Sequence, residues 1–375
     1  MRYAIVTETY PPEVNGVALT VQAFEAGLRG RGHEVDLVRP HHRDERPGGT
    51  DAMLVRGAGL PRYPGLQFGL PARRRLLARW RSRRPDAVYV ATEGPLGWSA
   101  VTAARRLGIP VASGFHTRFD HYMRDYGARW LEPAALAWMR RFHNRTQATL
   151  VPTRELADEL GARGFAQVRR LPRGIDIARF DPAHRDDGLR REWGIAGPGL
   201  VVIHVGRIAA EKNLDLAVRA FRRLQSERPD ARFVWVGDGP ARTALADANP
   251  DFVFRGVQRD DALARHFASA DLFLFPSLSE TFGNVTLEAM ASGLPIVAYD
   301  YGAAREHLRD AVPTAVVPVG DEAAFIDATL HLATDDAARV AVARAVRPAT
   351  AALHPGRLAA DFDAMLQALA EEARR

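Results

Sequence analysis

Short apolar runs alternate with amphipathic stretches along the whole chain. Residues 3–7, 34–38, 53–55, 86–91, 111–114 and 148–152 are runs of a few mostly apolar residues, which predicts buried strands. Between them, 17–29, 72–84, 133–145 and the stretch from 153 onward carry helical spacing. The second half repeats the rhythm, with strands predicted at 200–205, 232–236, 252–255, 271–275 and 295–299. Helices are predicted from about 213 and 284, and an amphipathic helix over 355–375. Alternating strand and helix predicts an α/β chain of doubly wound, Rossmann-like sheets. The polar stretch 180–199, rich in Asp, Gly and Pro, reads as a link between domains. The division is then 1–180, 181–354, and a terminal helix over 355–375.

At 375 residues the chain can build two ordinary cores, and 47% hydrophobic with 26% charged residues is a globular composition. Cysteine is absent, so disulfides and thiolate metal sites are excluded. No 18-residue apolar run and no signal-like leader is present, which predicts a cytoplasmic protein, soluble or peripheral on the inner face of the membrane. The net charge of +6 hides an asymmetry: residues 1–180 hold 29 Arg against 17 Asp and Glu, a balance of +12. The signatures of nucleic-acid-binding modules are missing, so anionic lipid is the better partner for that basic half. Lys212 is the only lysine, which in so Arg-rich a chain suggests a site suited to a compact ammonium.

Part of the basic charge lies in 72–84, where Leu76, Leu77 and Trp80 share one helical side. Arg73, Arg74, Arg75, Arg79, Arg81, Arg83 and Arg84 cover the rest. Such a helix could dock on anionic lipid. It could equally bury its Leu/Trp side against a sheet and leave the arginines wet.

The stretch PSLSETFGNVTLEAMASGLPIVAYD, 276–300, carries the most chemistry. It leaves a strand, crosses a Ser/Gly loop and enters a helix at about Asn284, a good N-cap residue, so free backbone N–H groups would face an anion there. Glu280 lies in the loop and Glu288 about one turn into the helix. A diphosphate flanked by two hydroxyl-bearing rings, as in a nucleotide sugar, fits one carboxylate on either side. The stretch resembles the EX7E signature of the retaining glycosyltransferases of family GT4, which have the GT-B fold. The resemblance implies that Glu280 holds the donor sugar and Glu288 the ribose. Thr281 and the backbone of Phe282, Gly283 and Asn284 would contact diphosphate and sugar.

Other motifs extend the resemblance over nearly the whole chain. Gly206-Arg-Ile-Ala-Ala-Glu-Lys-Asn213 follows a strong strand. Arg207 and Lys212 would stabilise the negative charge growing on a departing nucleoside diphosphate. Gly16, in the loop 8–16, would approach the phosphates, although an ordinary β–α turn reads the same. Phe115-His-Thr-Arg-Phe-Asp-His-Tyr122 places His116 beside the donor sugar's primary hydroxyl. Asn15, Arg118, Asp120 and Tyr122 are candidate acceptor contacts, and Val257 in the 256–258 loop lies by the base. Two motifs depart from the pattern: Arg173 stands where the family's N-G-[VI]-D turn has Asn, and Ala303 replaces the second glycine of a G-G-x-x-E turn.

The resemblance implies two Rossmann-like domains facing across a cleft, the terminal helix crossing back to the first. The implied reaction moves an α-linked hexose from a nucleotide sugar to an acceptor hydroxyl with retention. TETYPPEVNG and GFHTRFDHY look most like the bacterial members that use GDP-mannose and glycosylate lipids. UDP-sugar donors and soluble acceptors share these motifs and stay open. No cofactor and no obligatory metal is expected. The one D-x-D string, Asp361 and Asp363, falls in a helical pattern and reads as solvated face.

Overall fold

The computed structural model describes residues 1–13, 15–42, 51–59, 67–116, 130, 132–195 and 197–375. The chain forms two compact units, Met1–Arg173 with Pro355–Arg375, and Gly174–His354.

The first unit is built on a seven-stranded parallel sheet: β1 (Arg2–Val6), β2 (Glu34–Pro40), β3 (Met53–Val55), β6 (Ala87–Val90), β7 (Val111–Gly114), β8 (Ala148–Val151) and β9 (Val168–Arg170). Its order is β3-β2-β1-β6-β7-β8-β9, and β4 (Gly57–Gly59) pairs with β5 (Gln67–Gly69) as a small antiparallel ribbon. Both faces of the sheet are covered, and every residue of β6 and β8 is buried, Thr149 included. The order reverses at β1 and β6, and ligands of open parallel sheets bind beyond the strand ends at such a point.

The sequence pattern missed the helix Pro95–Arg106, whose buried side is mostly small: Gly97, Ser99, Ala100, Ala103 and Ala104. Glu8, just past β1, caps it: Oε1 accepts from Leu96 N at 2.8 Å and from Gly97 N at 3.4 Å. Burial pushes the Glu8 carboxyl up to about 7.

The helix Arg73–Ser82 settles the alternative left open by its sequence. Leu76 and Trp80 are both 0% exposed, packed with Val88, Val90 and Val101, so this apolar side is core and does not meet lipid. Arg79 makes a fork with Asp36 at 2.7–2.9 Å and Arg83 pairs with Glu34. Arg75 and Arg84 donate to backbone carbonyls of Leu54, Leu107 and Gly108. Arg73, Arg74 and Arg81 are exposed.

The terminal helix Pro355–Glu372 belongs to the first unit. Phe362 stacks on Phe24 at 4.2 Å and meets the edge of Tyr89 at 5.0 Å. Asp363, expected on the solvated face, is instead 1% exposed. It accepts from Arg31 Nε at 2.8 Å and Tyr3 Oη at 3.0 Å, and pairs with His33 at 2.9 Å. Burial opposes its charge, but these partners outweigh it and hold the carboxyl down at about 2.

In the second unit, β10 (Val201–Val205), β11 (Arg232–Val236), β12 (Val253–Phe254), β13 (Leu272–Phe275), β14 (Ile296–Tyr299) and β15 (Val316–Val317) form a parallel sheet in the order β12-β11-β10-β13-β14-β15. The stretch expected as a link, 180–199, is part of this unit. Phe180, Leu189, Trp193 and Ile195 join its core, and the short helix Asp187–Glu192 buries Leu189 and Arg190 while Asp187, Arg191 and Glu192 stay outside. The division into compact units falls after Arg173 and before Pro355, so residues 174–180 go with the second unit.

Candidate functional site

Sheet order creates the site of the second unit. β10 and β13 are far apart in sequence but adjacent in space. The loops leaving their carboxyl ends therefore meet, one carrying Gly206, Arg207 and Lys212, the other 276–283. Lys212 Nζ lies 2.5 Å from Glu280 Oε1, which also accepts from Ser277 Oγ at 2.8 Å. Tyr301 Oη in turn donates to the Ser277 carbonyl at 2.7 Å, fixing that loop. Arg207 Nη1 pairs with Glu211 Oε1 at 3.3 Å.

The loop bearing Arg207 rests on the turn after β11. Gly206 N donates to Val236 O at 3.0 Å and Ile208 N to Asp238 O at 2.9 Å. A Cβ on Gly237 would lie 1.9 Å from Gly206 O, and one on Gly239 would lie 2.3 Å from Ile208 O. The glycines of Gly237-Asp-Gly239 thus let two backbones touch, which places the cationic loop. Gly237 N donates to Gly256 O at 2.8 Å, tying in the loop of Val257, which is 48% exposed.

The helix after Glu280 is Asn284–Ala291, and its N-cap is Gly283 at φ +89°, not Asn284, which is the first helical residue. Left-handed backbone at the cap favours glycine, and no side-chain oxygen there competes for the first N–H groups. The backbone N–H groups of Gly283, Asn284 and Val285 have no protein acceptor among the described residues. Phe282 O is held by Ala303 N at 2.7 Å. Gly302 passes beneath it at φ +58°, whereas Ala303 has φ −64°, which explains why alanine serves where the motif has a second glycine. Thr281 is partly exposed on the same loop.

Glu288, one turn on, has Oε2 sealed from solvent with no hydrogen-bond partner among the described residues. Burial pushes its carboxyl up to about 7. An orphaned buried carboxylate oxygen wants a donor, such as a hydroxyl.

In the first unit, Gly16 opens the helix Gly16–Gly30 just beyond β1. Asn15, a candidate acceptor contact, is its N-cap: Oδ1 accepts from Ala18 N at 2.8 Å, and Nδ2 donates to Thr9 Oγ1 at 2.6 Å. His116 lies past the end of β7. Its Nδ1 meets Arg173 Nη2 at 2.6 Å and its Nε2 meets Tyr89 Oη at 2.7 Å. A guanidinium can only donate, so Nδ1 accepts and the proton of the neutral ring sits on Nε2. Burial first, then the Arg173 cation, holds His116 well below its ordinary value, so the ring is neutral. A Cβ on Gly114 would lie 2.2 Å from Tyr89 Oη and 2.4 Å from His116 Nε2, so the glycine makes room for the pair. Arg118, Asp120 and Tyr122 lie outside the described residues.

Sequence reasoning missed Tyr89, whose position in an apolar strand hides its hydroxyl, and left Arg173 without a role. Among the described residues no group of three or more His, Cys, Asp or Glu could hold a metal, and no helix is long and apolar enough to cross a membrane.

Residues 14–179 match the family model described as Glycosyltransferase Family 4, and 199–335 the model described as Glycosyl transferases group 1. A GDP-mannose-dependent alpha-mannosyltransferase of Mycolicibacterium smegmatis is 37% identical over 340 residues, 88% of each chain. A GDP-mannose-dependent alpha-(1-6)-phosphatidylinositol dimannoside mannosyltransferase of Mycobacterium tuberculosis is 30% identical over 342 residues, 84% of this chain and 87% of that one. The solved structure of Anabaena Alr3699/HepE in complex with UDP superposes with a TM-score of 0.78 at 17% identity, covering 98% of this chain and all of the other. That likeness shows the shared architecture of two parallel-sheet units, the GT-B fold. With both halves matched by family models and relatives aligned across most of its length, the chain belongs to glycosyltransferase family 4.

Proposed function

We propose that the protein is a retaining α-mannosyltransferase that moves mannose from GDP-mannose to a hydroxyl of a lipid or glycolipid acceptor. The observation that carries it is the meeting of Lys212 and Glu280 beside the donor-rich start of the helix Asn284–Ala291, with the orphaned Glu288 carboxylate beyond. Arg207, Lys212 and the free N–H groups of Gly283 and Asn284 suit a diphosphate. Glu280 suits sugar hydroxyls and Glu288 the ribose hydroxyls, with Val257 near the base. The donor and acceptor classes follow the relatives, whose names give GDP-mannose as donor and, in one, a phosphatidylinositol dimannoside.

In the reaction the bond between the sugar's anomeric carbon and the β-phosphate oxygen breaks. The acceptor oxygen bonds to that carbon from the same face, and its proton passes to the departing phosphate. Fixed cations at Arg207 and Lys212 stabilise the charge that develops on the leaving group. They supply the charge that a divalent ion would otherwise bring, so turnover needs no metal. Neutral His116 lies in the first unit, suited to a sugar hydroxyl rather than to carrying charge. The acceptor side includes Asn15, Arg118, Asp120 and Tyr122, and Gly16 approaches the donor phosphates. Exposed Arg73, Arg74 and Arg81 hold the protein against anionic lipid by charge alone, since the Leu76/Trp80 side is buried.

Thermal stabilisation by GDP, UDP and ADP, followed by the sugars of the responding base, tests the donor. A ligand that binds only the native state stabilises it by mass action. A response to GDP and GDP-mannose is expected. A response to UDP alone moves the enzyme to a UDP-sugar donor, and silence with all three overturns the donor site.

A further inference from the structure

The first unit contains a cation with no counter-charge among the described residues. Arg173 follows β9, at the carboxyl end of the sheet, and donates to His116 Nδ1 at 2.6 Å. Among the described residues that imidazole is its one hydrogen-bond partner, and no carboxylate pairs with it. Elsewhere guanidinium groups meet carboxylates or backbone carbonyls: half-buried Arg79 meets Asp36, and buried Arg190 meets Asp271 with the Ser269 and Gly199 carbonyls. His116 cannot neutralise Arg173, because the ring accepts at Nδ1 and is itself uncharged. Tyr89, the next group along, is 0% exposed and held as the phenol by burial.

Arg173 is half-buried, and a partly desolvated cation with no acidic partner among the described residues is one that an anionic ligand can pair with. Burial drags Arg173 down to about 10, which still leaves it charged at neutral pH. One edge of the guanidinium is spent on His116, and the remaining N–H donors have no protein acceptor among the described residues. A planar fork with free donors at the ligand-binding end of a parallel sheet suits a phosphate oxyanion.

We infer that Arg173, set in place by His116, is a phosphate-binding residue of the first unit. The phosphate is either the diphosphate of the donor or a phosphate on the acceptor's head group. The inference rests on the proposed transferase reading, because it treats the carboxyl end of the sheet as part of that site.

The experiment uses the full chain, as wild type and as Arg173→Asn, with two calorimetric titrations. The first titrates GDP into free protein, and the second titrates glycerol 3-phosphate into protein saturated with GDP. Loss of a charged hydrogen-bonding partner is expected to weaken one of the two by about tenfold or more. Weaker GDP binding assigns the phosphate to the donor. Weaker glycerol 3-phosphate binding with GDP unchanged assigns it to the acceptor. If neither constant moves, or if the wild type binds no glycerol 3-phosphate while GDP binding is unaltered by the substitution, the inference is overturned. Arg173→Lys, which keeps the charge, restores most of the lost affinity under a phosphate-binding role and none of it under a purely structural one.

A folding defect in the Asn variant is bypassed by following the His116 ring nitrogens in labelled wild type during the same titrations. A shift with one ligand supports the site, and no shift with either removes it. If the wild type turns over GDP-mannose but passes none of these tests, the transferase reading stands and the Arg173 inference alone fails.

Discussion

Lys212 and Glu280, 68 residues apart, hold each other at 2.5 Å between Nζ and Oε1. The ammonium proposed for the diphosphate and the carboxylate proposed for the sugar therefore neutralise one another while the site is free. Donor binding must exchange that pair for phosphate on one side and hydroxyls on the other. Glu280→Gln is expected to leave GDP binding unchanged or tighter, because Lys212 is released, while turnover of GDP-mannose falls by about a hundredfold or more. Near-normal turnover in this variant would remove Glu280 from the reaction.

Glu288 predicts a pH dependence with a definite sign. Burial raises its carboxyl from 4.5 to about 7, so the folded chain holds that proton where the unfolded chain has lost it. Between those values the folded state binds more protons, so stability falls as pH rises, and above pH 7 the full cost is present. Glu288→Gln should be more stable than wild type at pH 8, by about 1–3 kcal/mol, with the difference vanishing near pH 4. Thermal denaturation across that range measures it. GDP, whose ribose hydroxyls favour the ionised form, should release protons on binding near pH 6–7 in the wild type and not in the variant.

The turn at 301–303 separates two glycine positions. Gly302→Ala places a Cβ 2.7 Å from Phe282 O at φ +58° and is expected to destabilise by about 1–3 kcal/mol. Ala303→Gly, restoring the family's glycine at an ordinary φ of −64°, should cost no more than about 1 kcal/mol. Equal losses in melting temperature would contradict the assignment of strain to Gly302 alone.

The helix Arg73–Ser82 has two sides with different duties. Trp80→Ala should destabilise by about 3–5 kcal/mol, since the side chain is 0% exposed. Replacing Arg73, Arg74 and Arg81 together by Glu should leave the melting temperature nearly unchanged. It should also abolish sedimentation with vesicles of anionic phospholipid at low salt. Undiminished sedimentation would put the lipid contact elsewhere.

Metal independence is checked by assay with a chelator. With Arg207 and Lys212 supplying the charge, turnover should be unaffected by EDTA, and Lys212→Met should lose about a hundredfold in kcat. Activity that disappears with EDTA and returns with magnesium would show that the cations alone are insufficient.

What the sequence determined by itself is what depends on neighbours along the chain. Short, nearly or wholly apolar runs such as 201–205, broken only by His204, and 272–275 read as strands buried on both faces, so the parallel sheets were legible. The loop from Glu280 to Asn284 and the stretch from Gly206 to Asn213 were legible too, because a strand end, a glycine and a helix start are local signals. The helix Pro95–Arg106 was not, since a buried side of small residues has no strong period.

Tertiary structure decided whatever depends on who meets whom. Sheet order brings β10 beside β13, and only that makes Lys212 and Glu280 a pair. The sheet covers Trp80, the first unit takes in Asp363 as the partner of Arg31, and the second unit buries Trp193. In each case the amphipathic pattern marked an apolar or polar side without saying what would lie against it. Arg173 is the sharpest instance. Its charge is written in the sequence, but that no described carboxylate lies beside it is a property of where folding placed the other side chains.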